Sequence, residues 1–275
     1  MDKNKTLKLE ILIAGLFLIF ASLIIFGERL HKEEEIEEVI IESEPEIDYT
    51  KIENISGQYR YEDDAFLGIF GIDVSEFQEE IDWKKVKEAG VEFVFIRIGR
   101  RGATTGMLYD DQRFEENYKG ATENDIPVGI YFFSQATTQE EAIEEAKWVK
   151  DHLKGRKLDL PIVYDLEEVF FEDEKSRTQD LEKQQLTDNT LAFLKEFENT
   201  SYETMIYTYL DWEENKIEMD RLSDYPIWFA QYDIEMPHAD HPISIWQYSN
   251  KGTVNGIKEP VDMNIMFIRK NDRPE

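Results

Sequence analysis

Leu160-Pro161-Ile162-Val163-Tyr164-Asp165-Leu166-Glu167 is an apolar, β-branched and aromatic run that ends in two acids. Side chains alternate along a strand, so Asp165 and Glu167 face one side at the place where a buried strand meets a loop. Like charges that close raise one pKa, and a paired acid and base is what cleavage of a glycosidic bond needs. Taken alone, the same two acids also fit a strand end that caps the next helix or pairs with a nearby Lys or Arg.

Working outward, seven more runs of this kind read as strands: Ile69-Val74, Phe93-Ile98, Val128-Phe133, Thr204-Tyr209, Ile227-Ala230, Ile243-Tyr248 and Asn264-Ile268. Helical periodicity fills Trp83-Ala89, Phe114-Asn124, Gln139-Leu153 and Leu186-Glu198, while the later connections are too short for full helices. Strands buried on both faces and alternating with helices argue for a parallel α/β sheet, either open and doubly wound or closed. Eight strands favour closure, so the expected fold is an irregular β/α (TIM-like) barrel over residues 67–270.

In such barrels the working residues sit at the C-terminal ends of the strands. There the sequence places Asp73 on the first strand, Tyr131 and Phe133 on the third, and Asp165 with Glu167 on the fourth. Tyr207 ends the fifth, Trp228 and Gln231 belong to the sixth, Trp246 and Gln247 to the seventh, and Asp262 to the eighth. Acids, aromatics and amides converging on one mouth suit a sugar site, because aromatic faces stack on sugar rings and amides bond hydroxyl and acetamido groups. Singly, the tryptophans and tyrosines suit a core equally well, and Gln247 suits satisfaction of backbone groups.

Composition narrows the partners. A formal charge of −29 over 275 residues, without a Lys/Arg cluster, argues against nucleic acid. With no cysteine, disulfides, thiolate zinc sites and thiol catalysis are excluded. His31, His152, His238 and His241 lack metal-ligand spacing, and His238-Ala239-Asp240-His241 reads as a solvated turn. No glycine-rich phosphate loop is present, so neither a metal nor another cofactor is expected.

Ile11 to Gly27 carries no charge and covers roughly 25 Å as a helix, near the ~30 Å of a hydrocarbon core once Leu7 and Leu9 are added. Lys3, Lys5 and Lys8 precede it, which places residues 1–10 in the cytoplasm and the remainder outside a cell membrane crossed once. The run exceeds a usual signal-peptide core and no A-x-A-like cleavage site follows, which favours an uncleaved anchor over residues 11–27. Residues 28–66 carry fourteen Asp/Glu against four Lys/Arg and read as an extended acidic linker.

Gly71-Ile72-Asp73-Val74-Ser75-Glu76-Phe77-Gln78 followed by Ile81-Asp82-Trp83-Lys84-Lys85-Val86 resembles the opening of the family 25 glycoside hydrolases, the Chalaropsis-type lysozymes. Further stretches fit in the same order: Phe114-Glu115-Glu116-Asn117, Val128-Gly129-Ile130-Tyr131-Phe132-Phe133-Ser134, Pro161 through Glu167, Trp228-Phe229-Ala230-Gln231-Tyr232, Ile245-Trp246-Gln247-Tyr248-Ser249, and Val254-Asn255-Gly256-Ile257 through Val261-Asp262-Met263-Asn264. The resemblance implies an N-acetylmuramidase acting on the β-1,4 bond between N-acetylmuramic acid and N-acetylglucosamine in peptidoglycan. It makes Glu167 the general acid, Asp165 the partner that orients the substrate's acetamido group, and Asp73 and Asp262 the other two site acids. The implied route uses the acetamido oxygen as nucleophile; an inverting route through Asp73 or Asp262 is the alternative.

Two departures from the commoner family pattern bear on subsites. Tyr131-Phe132-Phe133 stands on strand three, and Arg97-Ile98-Gly99-Arg100-Arg101-Gly102 follows strand two. Arg100 and Arg101 suit either contact with peptide-stem or lactyl carboxylates or a solvated surface. The acidic insertion between Glu167 and Leu186, which includes Arg177, suits a narrowed access to the site. A peptidoglycan-binding protein that has lost turnover on the same fold is the competing function class.

Overall fold

A computed structural model describes residues 45–272, and its compact unit starts at Glu46. The strands in chain order are β1 (Glu53–Ile55), β2 (Gln58–Arg60), β3 (Phe66–Val74), β4 (Phe93–Arg101), β5 (Leu108–Asp110), β6 (Val128–Ser134), β7 (Ile162–Leu166), β8 (Thr204–Tyr209), β9 (Ile227–Ala230), β10 (Ile245–Gly252) and β11 (Val261–Arg269). The helices are α1 (Trp83–Glu88), α2 (Phe114–Glu123), α3 (Gln139–Leu153), α4 (Lys183–Lys195) and α5 (Leu210–Asn215). Pairing runs β3-β11-β10-β9-β8-β7-β6-β4 and closes from β4 back onto β3, an eight-stranded barrel with β5 folded back on β4 as a hairpin.

Strand alternation creates two apolar layers. Inside the barrel lie Phe93, Phe95, Val163, Met205, Tyr207, Trp228, Ala230 and Ile245. Gly71 and Gly129 make room for two of these rings, since a Cβ at either would stand 2.3 Å from Phe93 or Phe95 respectively. The opposite faces of the same strands pack on the helices in a larger cluster that includes Ile96, Val128, Phe132, Leu186 and Phe193. Helix starts follow local chemistry: Asp82 accepts from Lys85 N–H (3.2 Å) ahead of α1, and Thr138 accepts from Glu141 N–H (3.3 Å) ahead of α3.

Three features depart from the sequence expectation. The barrel is not wholly parallel, because β11 runs antiparallel to both β10 and β3, with Asp262 opposite Asp73 in register. An eight-residue connection (253–260) between β10 and β11 leaves room only for a hairpin, since a parallel return needs a crossover of a dozen or more residues. Consequently Asp262, at the start of its strand, reaches the same mouth as the C-terminal ends of the others.

The second departure concerns residues 46–66, expected as part of the acidic linker. They fold onto the barrel. Few helices follow β9, and this segment covers the outer face that those missing helices leave open. Tyr59 packs on Trp246 (ring centroids 4.7 Å) and Tyr248 (4.8 Å), while Tyr49 and Tyr61 both pack on Phe267 (5.7 and 5.5 Å). Tyr59 OH donates to the Ile234 carbonyl (2.7 Å), and Tyr49 OH accepts from Ile243 N–H (3.2 Å). Charge counting missed the tyrosines, which supply the apolar area that anchors an otherwise acidic strap.

The third is the sixth connection. Gln231, expected at the mouth, lies past the end of β9, and its Oε1 accepts from His238 N–H (2.8 Å) within the 231–244 loop. His241, expected in a solvated turn, is half-buried and stands 2.9 Å from Glu213 Oε2. The expected membrane-spanning helix (11–27) and the first part of the linker (28–44) lie outside the described residues; among the described residues no helix is long and apolar enough to cross a membrane.

Candidate active site

All four sequence-expected acids meet at one mouth. Asp73, Asp165, Glu167 and Asp262 line a cavity of about 270 Å³ together with Ser75, Phe77, Gln78, Arg97, Tyr131, Phe133, Tyr207, Trp228, Tyr232, Gln247 and Asn250. Asp73, Asp165 and Asp262 stand near the ends of paired strands on inward-facing positions, so backbone pairing fixes their side-chain origins, and Glu167 follows one residue past the end of β7. Asp165 pairs in register with Phe133 on one side and Tyr207 on the other.

The acids form two pairs. Asp165 and Glu167 hydrogen bond to each other, and burial raises both pKa values. For Asp165 the Glu167 charge adds to burial; for Glu167 the charge on Asp73 does. Asp165 Oδ1 is buried and faces no donor. The β7 pair therefore holds a shared proton well above the ordinary carboxylate range.

Across the cavity, Asp73 and Asp262 make the second pair. Burial pushes Asp73 up, and three hydrogen bonds, from Asn264, Gln247 and Asp262, hold the rise to about 6. Asn264 Nδ2 and Gln247 Nε2 both donate to Asp73 Oδ2 at 2.8 Å. Asp262 rises further, from burial first and then from Asp73's charge, so Asp262 carries the proton and Asp73 the charge.

Gln247, expected to meet substrate, lines the cavity, and its amide is also bound into the wall. Besides its donation to Asp73, its Oε1 accepts from Tyr207 OH (2.9 Å) and Tyr232 OH (2.5 Å). These contacts fix the wall that it lines. Trp228 was expected as a stacking subsite; it is buried as the cavity floor, donating Nε1–H to Asn264 Oδ1 (2.8 Å) and packing on Phe95 (4.8 Å) and Tyr207 (5.3 Å). Trp246 points to the outer layer under Tyr59. Tyr131 and Phe133 line the cavity from β6 as expected.

The basic run after β4 divides. Arg101 is buried, with Nε 2.6 Å from Glu145 and Nη2 2.7 Å from Glu144, so it holds α3 to the barrel and meets no substrate. Arg100 is half-exposed over the Tyr109 ring. Arg97 points into the cavity, held by Asp111 (2.8 Å) and Glu76 (3.0 Å). In the insertion after β7, Arg177 binds Glu141 (2.6 Å) and the Gln135 carbonyl (3.1 Å), which pins that loop to the end of β6. Sequence reading missed Arg97, Tyr232 and Asn264 as site residues, although Asn264 lies two positions from Asp262 and so shares its face.

A closed barrel whose mouth gathers four carboxyl groups, amides and aromatic rings defines a glycoside-cleaving class of site. Residues 72–257 match the family described as glycosyl hydrolases family 25, and the chain belongs to that family. It is 28% identical over 193 residues to the autolytic lysozyme of Clostridium acetobutylicum, a match covering 70% of this chain and 54% of that one, so the chain spans about half the length of that relative. Lysozyme M1 of Streptomyces globisporus is 30% identical over 210 residues, covering 72% of this chain and 67% of its own. The spore cortex lytic enzyme SleM of Clostridium perfringens has a TM-score of 0.62 at 26% identity, over 72% of this chain and 67% of that one.

Proposed function

We propose that this chain is an N-acetylmuramidase that hydrolyses the β-1,4 bond between N-acetylmuramic acid and N-acetylglucosamine in peptidoglycan, working from a membrane surface to which residues 11–27 tether it. The observation that carries the reading is the hydrogen-bonded Asp165–Glu167 pair, raised in pKa by burial and facing Asp73 and Asp262 across one cavity. Family membership and the lysozymes among the relatives support it. A short positively charged start before an uncharged run supports the tether.

In this mechanism Glu167 gives the shared proton to the glycosidic oxygen as the bond breaks. The substrate's acetamido oxygen bonds to the anomeric carbon, and Asp165 takes the N–H of that group, stabilising the positive charge that develops. Water then opens the ring so formed, with Glu167 as base, and the proton returns to the pair. Asp73, kept ionised by two amides, supplies negative charge across the cavity from the oxocarbenium-like centre.

The test is release of reducing ends from purified peptidoglycan by the full chain in detergent. Glu167→Gln is expected to lower turnover by about 10²–10⁴-fold with thermal unfolding unchanged. Near-native turnover in that variant removes Glu167 from the role of acid, and binding without release in the unaltered chain would favour a non-catalytic wall-binding protein.

A further inference from the structure

Large apolar side chains exposed among the described residues are Ile55, Phe77, Met107, Phe170 and Phe171, and of these Phe77 lines the cavity of the four acids. It is 68% exposed. An aromatic ring left so open at the edge of a polar cavity has an apolar face without a protein partner.

Its mounting is rigid. The 3-10 turn Glu76–Gln78 is closed by a reciprocal cap in which Ser75 Oγ accepts from Phe77 N–H (3.2 Å) and Gln78 Oε1 accepts from Ser75 N–H (2.8 Å). Gln78 Nε2 then ties the turn to the Pro260 carbonyl (2.9 Å), ahead of β11. Beneath the ring the Arg97 guanidinium lies 4.9 Å from its centroid, and that cation is itself fixed by Asp111 and Glu76. One face is backed by a held cation and the other is open.

Phe77 stands four residues beyond Asp73 on the turn that follows β3, and it is exposed where Asp73 and Asp165 are buried, so its ring lies at the rim of the cavity and the acids lie deeper. A sugar unit stacked at the rim on Phe77 is therefore set apart from the unit held among the buried acids below it. We propose that Phe77 is a stacking platform for a pyranose ring of the glycan strand outside the pair joined by the scissile bond, so that the site grips the polymer beyond the bond it cuts. This rests on the muramidase reading. It also assigns Arg97 a part, since the guanidinium behind the ring sets its plane.

The experiment measures binding of the full chain in detergent to purified glycan strands freed of peptide, alongside release of reducing ends from the same strands. Phe77→Ala is expected to weaken binding about tenfold, equivalent to about 1.4 kcal/mol, and Phe77→Trp to restore it, with near-UV circular dichroism reporting that both variants are folded. Binding of Phe77→Ala equal to that of the unaltered chain overturns the platform. If the unaltered chain binds strands but releases no ends, the enzyme reading falls and the platform is still judged by the binding comparison. Absence of both binding and release in the unaltered chain overturns both.

Discussion

Gln247→Leu removes a side chain whose every polar contact serves the site wall, with little change of volume. The donation from Nε2 to the ionised Asp73 (2.8 Å) is charge-assisted, worth about 1.5–3 kcal/mol. Tyr207, which is buried, loses the acceptor of its hydroxyl, for about 1 kcal/mol more, whereas Tyr232 at the rim turns to water. The sum is about 2.5–4 kcal/mol at pH 7.5, or roughly 10 °C in Tm for a domain of this size. The loss carries a pH signature. Asp73 ionises at about 6 in the folded chain against 3.8 as the ordinary value, so its contribution to stability is full below about 4 and falls as pH rises through 6. Without Gln247 the folded pKa moves higher and that fall deepens. The gap between variant and unaltered chain therefore widens from about 1–2 kcal/mol at pH 4 to its full size at pH 7.5. Urea unfolding at the two pH values measures it. A loss below about 1 kcal/mol at pH 7.5, or an equal loss at both, refutes the assignment of Gln247 as the amide that keeps Asp73 ionised.

Two other perturbations test separate parts of the molecule. Tyr59→Ala strips two ring contacts and a 2.7 Å hydrogen bond from the strap, and is expected to destabilise the barrel by about 3 kcal/mol in urea unfolding; a loss under about 0.5 kcal/mol would return residues 46–65 to the linker. Asp73→Asn removes a negative charge that raises Glu167, so deprotonation of the acid becomes easier and the alkaline limb of the pH–rate profile is expected to move to lower pH; an unmoved limb, or one shifted upward, contradicts the coupling across the cavity.

The strands legible in the sequence are those buried on both faces, and β7 matches its expected bounds Ile162–Leu166. Period-two patterning reports burial, so it finds strands without reporting direction, and β11 was read as parallel. Its direction was nonetheless present in the sequence as the length of the 253–260 connection. The four acids were legible because strand ends at a barrel mouth are few and the acids stand on inward positions. Gln231 was misplaced for a different reason, and the double reading of Trp228 as core or subsite stood open for the same one: sequence gives the element, and only packing decides whether an amide or indole is bound by its neighbours. Arg101 and Arg97 make the same point, two inward-wall and outer-wall cations four residues apart whose roles are set by Glu145 on α3 and by Asp111 beyond β5. The strap went unread because net charge masks sparse tyrosines.

Where the protons sit in the site follows from where the amide donors are. Facing aspartates on directly paired residues of β3 and β11 would repel if both ionised. Asn264 and Gln247 both donate to a single oxygen of Asp73, which makes Asp73 the stable anion and leaves Asp262 the proton. No donor reaches Asp165 Oδ1, and the Arg97 charge that favours ionisation of Asp165 is outweighed by burial and by Glu167, so one proton stays between Asp165 and Glu167. Two pairs of carboxyls of similar burial are thus set to opposite tasks by two side chains on β10 and β11: a fixed charge on one wall and a transferable proton on the other. An acid at position 167 on an otherwise identical strand, without the anion at Asp73, would hold that proton less firmly at neutral pH.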